Sequence, residues 1–134
     1  MFILNGDVEA LNFILAFNTY CHMIDDIVDE EEGKKPEFVI KTFAIAAMLF
    51  SCNFWLKHHE KLIGNVLTIT NTYADSVAFE RSEEPWKKVM ADTLRGAGHS
   101  MFILVLTMIG GPDKYEQIRE VSQESLEFWY YEQH

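Results

Sequence analysis

The stretch NFILAFNTYCHMIDDIVDEEEG, residues 12–33, decides the fold. It holds no proline and no glycine before Gly33, and its apolar residues recur at helical spacing. It therefore reads as a helix that opens near Asn5-Gly6-Asp7, with Asp7 as N-cap, and stops at Gly33. At 100° per residue, Asn18, His22, Asp25 and Asp29 fall in one narrow sector. Toward the N-terminus the same sector holds Leu11, Ile14 and Leu15. The remaining directions are mostly apolar, which is the signature of a buried helix. One face is thus greasy at its lower end and acidic at its upper end, a layout that points into a pocket. Carboxylates at a helix C-terminus oppose the macrodipole, and Asp25 and Asp29 repel each other one turn apart. A hard divalent cation such as Mg²⁺ relieves both costs. Glu30, Glu31 and Glu32 read instead as a solvated cap.

Working outward, breakers divide the chain of 134 residues into helix-length pieces. Pro36 suits the first turn of a second helix reaching about Leu62 and Gly64. A third runs from about Asn65 to Ser82. Ser82-Glu83-Glu84-Pro85 opens a fourth, which Gly96 and Gly98 kink or split, and Gly110-Gly111-Pro112 ends it. Asp113 opens the last helix. No strand pattern competes. The expectation is a single all-α domain, residues 1–134, folded as a five- to six-helix bundle. Short connections make consecutive helices antiparallel, bringing the C-terminal ends of the first and third helices to the same end.

Eleven Lys and Arg against 21 Asp and Glu give a net charge of −10, which excludes a phosphate-neutralising nucleic-acid surface and suits cations. Cys21 and Cys52 sit in apolar runs without paired spacing, so they read as small buried hydrophobes of a reducing compartment rather than zinc ligands. The start MFILNGDVEA lacks a signal-peptide pattern, and runs such as Met101–Leu106 are too short to span a bilayer. The expected location is cytoplasmic. Phe128, Trp129, Tyr130 and Tyr131 point around their helix, so part of that cluster is expected to meet another subunit of a homodimer.

FILAFNTYCHMIDDIVDEE resembles the first aspartate-rich motif of the trans-isoprenoid synthases, nearest the squalene and phytoene synthase branch. Asp25, Asp26 and Asp29 occupy its three aspartate positions. The resemblance implies an isoprenoid-synthase-like bundle, Mg²⁺ held by these aspartates, a prenyl diphosphate on the metal and an apolar cavity for its chain. TITNTYADSVAFERSEE is similar to the second motif of that branch, with Asn71 and Asp75 in its first two positions and Phe79 in the third. In another register, Thr72, Ser76 and Glu80 match the Asn-Ser-Glu spacing of terpene cyclases. The chain is about half as long as the family's catalytic domains, which implies a reduced relative or a cavity completed by oligomerisation. A diphosphate needs cations besides the metal, and Arg81 and Arg95 follow the second motif. Asn18, His22 and Glu80 complete the candidate ligand-binding set. No residue is assigned a catalytic role.

Two other readings use the same residues. All-α nucleoside triphosphate pyrophosphohydrolases also hold Mg²⁺ on helix carboxylates, and Asp26-x-x-Asp29 fits half of their paired pattern. A non-catalytic helical binding or interaction protein treats the acids as a solvated helix end.

Overall fold

The computed structural model describes residues 7–29 and 35–133, the latter without the side chains of residues 112 and 129–133. The described residues are all-helical, with no strand. In chain order the helices are α1 (Val8–Asp29), α2 (Lys35–Leu49), α3 (Asn53–Glu80), α4 (Pro85–Arg95), α5 (His99–Gly110) and α6 (Tyr115–Gln133). Single 3-10 turns, Gly96–Gly98 and Pro112–Lys114, precede α5 and α6. The expected all-α fold class is therefore what forms. The expected stop at Gly33 and the acids Glu30, Glu31 and Glu32 lie outside the described residues.

Several boundaries follow directly from local chemistry. Asp7 caps α1: the Ala10 N–H donates to its Oδ1 at 3.0 Å, and the Leu11 N–H donates to its carbonyl at 3.1 Å. Pro36 stands in the first turn of α2, and Pro85 in the first turn of α4 behind Glu84 as N-cap. Gly111 ends α5 with φ +67°, a conformation that disfavours any residue with a Cβ.

One boundary differs from the expectation. α2 stops at Leu49, and α3 runs unbroken through Gly64 from Asn53 to Glu80. The break falls instead at Phe50-Ser51-Cys52, which contains neither glycine nor proline. There the Ser51 hydroxyl donates to the carbonyls of Ala47 (2.7 Å) and Met48 (3.3 Å). Such back-bonding competes with the helical ladder. Cys52 then offers its carbonyl to the Leu56 N–H at 3.0 Å, starting α3.

The chain divides into two compact units, with the boundary in sequence within α3, between residues 59 and 60. In the first, α1 and α2 form a hairpin. Ala10, Phe13 and Phe17 are buried at helical spacing along α1, and Leu49, Phe54 and Trp55 close over them. Phe13 lies 5.1 Å from Phe54 and 6.2 Å from Trp55, ring centre to ring centre, and Phe50 meets Trp55 edge-on at 4.8 Å. In the second unit the buried residues of α3 are Leu62, Ile69 and Ser76, a repeat of seven that keeps one seam facing inward. Ala91, Met101, Val105, Leu106 and Ile118 complete that core.

Pro85–Gly110 reaches a mean hydropathy of 1.2 over its most apolar 18 residues, although only 17% of that window is buried. It is the one continuous helical stretch among the described residues that passes a length-and-composition test for a membrane span, and it carries the interruption at Gly96–Gly98.

Candidate functional site

The first aspartate-rich segment is the last turn of α1. Because the helix is unbroken to Asp29, Asp25 and Asp29 stand one turn apart, with about 6 Å of rise between them. Asp25 is half-buried, while Asn18, His22, Asp26 and Asp29 are exposed, and Leu15 lower in the same sector is exposed as well. Apart from Asp25, the residues of the acidic sector are thus exposed. The opposite side of the helix is the interior one. Burial pushes the thiol of Cys21, which stands between the interior side and the acidic sector, up to about 11. It also raises the Tyr20 phenol, to which the neighbouring Cys21 adds. Tyr20 packs against Phe17 at 6.3 Å and edge-on against Phe50 at 5.8 Å.

The same unit contains a groove of about 320 Å³ between the N-terminal half of α1 and the corner joining α2 to α3. Its floor is Phe13, Leu49 and Phe54, and its rim carries Glu9, Asn12 and Asn53, with Cys52 beside them. On α1 these residues lie on the side opposite the acidic sector, with about 20 Å of rise from Asn12 to Asp25. The groove is therefore not the cavity expected beneath the aspartates. Sequence reading missed it because the groove depends on the break at residues 50–52.

The second motif lies on α3 in the other unit. Asn71 and Asp75 are both exposed, one turn apart on one helix face. The alternative register does not present its residues together. Ser76 is fully buried in the core seam, its hydroxyl donating to the Tyr73 carbonyl at 2.6 Å. Thr72 donates to the Thr68 carbonyl at 2.8 Å. Phe79 packs locally. Trp86 meets it edge-on at 5.8 Å and the Lys87 ammonium sits 5.7 Å over its face, locking the corner between α3 and α4.

The structure brings two of the predicted ligand-binding residues onto each other. The Arg95 guanidinium is ion-paired to the Glu80 carboxylate and stacks 5.8 Å over the Tyr73 ring. This half-buried arginine ties the ends of α3 and α4 together, so it is engaged within the protein rather than held ready for a phosphate. Arg81 is exposed. Among the described residues, no three His, Cys, Asp or Glu side chains stand close enough together to hold a metal ion.

His99 is a polar centre between α5 and α6. Its Nε2 lies 3.0 Å from Ser122 Oγ, and the Ser125 hydroxyl lies 3.4 Å from its Nδ1, joining α5 to α6. Burial holds its pKa below the usual 6.5. Serines three residues apart on α6 were the available signal. Compared with models of protein families, with curated proteins and with solved structures, the chain has no match in any of the three.

Proposed function

We propose that the protein binds a diphosphate-bearing ligand in a Mg²⁺-dependent manner through Asp25, Asp26 and Asp29, as the resemblance to the isoprenoid synthases implies. One observation carries this reading: α1 continues as helix through Asp25-Asp26-Ile27-Val28-Asp29, so three hard-oxygen donors share its last turn. An all-oxygen set suits Mg²⁺ rather than softer metals. Mg²⁺ is commonly held by one or two carboxylates together with the phosphates of the ligand, without a cage built from protein alone. A preformed group of three ligands is accordingly not a requirement. Bound there, the cation would neutralise a diphosphate and ease its departure as a leaving group. Asn71 and Asp75 are the second candidate pair, exposed and one turn apart.

The exposure of the acidic sector favours a second reading, in which the acids are a solvated helix end on a non-catalytic binding protein. Calorimetric titration of Mg²⁺, alone and with inorganic diphosphate, separates the two. The first reading expects saturable binding that tightens with diphosphate and drops at least tenfold in Asp25→Asn and Asp29→Asn. Mg²⁺ binding that is absent, or equal in wild type and variants, overturns it. If binding is found, turnover of nucleoside triphosphates without any effect of prenyl diphosphates assigns the site to pyrophosphohydrolase chemistry.

A further inference from the structure

The groove between α1 and the α2–α3 corner is built wholly from residues of one compact unit. Its α1 wall, Glu9, Asn12, Phe13 and Ala16, follows the i, i+3, i+4, i+7 spacing of a single helix face. The two sides differ in rigidity. Phe13, Leu49 and Phe54 are only 1%, 1% and 4% exposed, and the Phe13 and Phe54 rings pack on each other at 5.1 Å. Met48, which also borders the groove, is 68% exposed. A methionine is unbranched and adaptable, so it can fold over whatever fills such a space. The groove's volume of about 320 Å³ lies at the small end of the range for ligand sites. A cavity of about 150 Å³ takes up benzene, so this one suits a single ring with a short chain.

We infer that this groove binds a small organic cation, an aromatic or branched alkyl group on a short chain that ends in an ammonium. The apolar lining sets the body of the ligand, and the rim sets its charge. Glu9 is the one charged residue of the groove, and it is exposed at the mouth. Asn12 and Asn53, also exposed, add an amide oxygen each. Among the described residues no ion pair or hydrogen bond engages these three side chains, so all three are open to a ligand. An ammonium carries three donors and no acceptor, which matches one carboxylate and two amide oxygens. An anion of the same size would meet both Glu9 and a net charge of −10. A neutral molecule would make the apolar contacts but gain nothing from the carboxylate. The site is independent of the acidic end of α1, which lies on the opposite side of that helix with about 20 Å of rise from Asn12 to Asp25.

The test is calorimetric titration of the full chain, at fixed ionic strength, with three probes of nearly one size: phenethylammonium, phenethyl alcohol and phenylacetate. The ammonium should bind saturably with a dissociation constant below about 1 mM. It should bind about fivefold tighter than the alcohol, and Glu9→Gln should remove that advantage while leaving the alcohol unchanged. Phenylacetate should bind weakest. Ala16→Leu puts a larger side chain into the groove from a helix that accepts it, and should abolish binding of both the ammonium and the alcohol. Circular dichroism shows that each variant remains folded. In Cys21→Ser the one remaining thiol is Cys52, which lines the groove, and saturating phenethylammonium should slow its alkylation by iodoacetamide. The proposal is overturned by the absence of saturable binding, by an affinity for the ammonium that Glu9→Gln leaves unchanged, or by binding that survives in folded Ala16→Leu. Binding that disappears in Asp25→Asn/Asp29→Asn also overturns it, because the cation then sits at the acidic end of α1.

Discussion

His99 shows how one residue can set a pH dependence. It is half-buried between Ser122 and Ser125 with Phe102 5.9 Å away, and burial favours its neutral form. In the unfolded chain the imidazole takes up its proton at about 6.5. As the pH falls through that value the unfolded state binds protons that the folded state refuses, so stability declines until the lower folded pKa is passed. Melting temperatures measured from pH 7.5 down to 5 (the histidine range) should therefore fall, and the fall should be shallower in His99→Gln. Equal slopes would remove His99 from the explanation, because the other histidines are common to both proteins. The partner serines come from a different helix, and a single sequence does not say which helix that will be.

At the scale of the element, glycine has opposite meanings in two places. Gly64 lies in mid-helix, where a Cβ would meet nothing within 4 Å. Gly64→Ala should stabilise the protein by about 0.5–1 kcal/mol, as any exposed helix interior gains from the change. Gly111 holds φ +67°, so Gly111→Ala should destabilise by about 1–2 kcal/mol. Denaturant titration of the two variants reads both signs, and a loss of stability in Gly64→Ala would argue that α3 is broken there. These residues also mark what the sequence made legible. The caps at Asp7 and Glu84, the prolines 36 and 85 and the pair Gly110-Gly111 sit where local chemistry placed them, because each acts on its own backbone. The break at 50–52 was not legible, since Ser51 has no φ preference that forces a stop. Gly64 was misleading because a helix carrying a core seam at Leu62, Ile69 and Ser76 absorbs the cost of one glycine. The aspartates were legible as a motif, but their exposure was not, because the wheel shows which residues share a side and not which side is covered.

For the whole molecule the governing quantity is charge. Eleven basic against 21 acidic residues leave −10, and self-repulsion of that size weakens a folded state. Raising NaCl from about 20 to 300 mM shortens the screening length from roughly 20 Å to under 6 Å, so the melting temperature should climb with salt. That climb sets the condition for reading any effect of Mg²⁺. A divalent cation screens an acidic protein whether or not it has a site, so part of the stabilisation will be general. At constant ionic strength, with NaCl replaced by MgCl₂, the general part is reduced and a specific site remains visible. Stabilisation by a native-state ligand grows by about 1.4 kcal/mol for each tenfold excess over its dissociation constant. A site at Asp25, Asp26 and Asp29 therefore predicts a further rise in wild type that steepens with diphosphate and disappears in the Asp25→Asn/Asp29→Asn double variant. If the double variant follows wild type at matched ionic strength, the acids act only through the net charge, and α1 ends in a solvated cap.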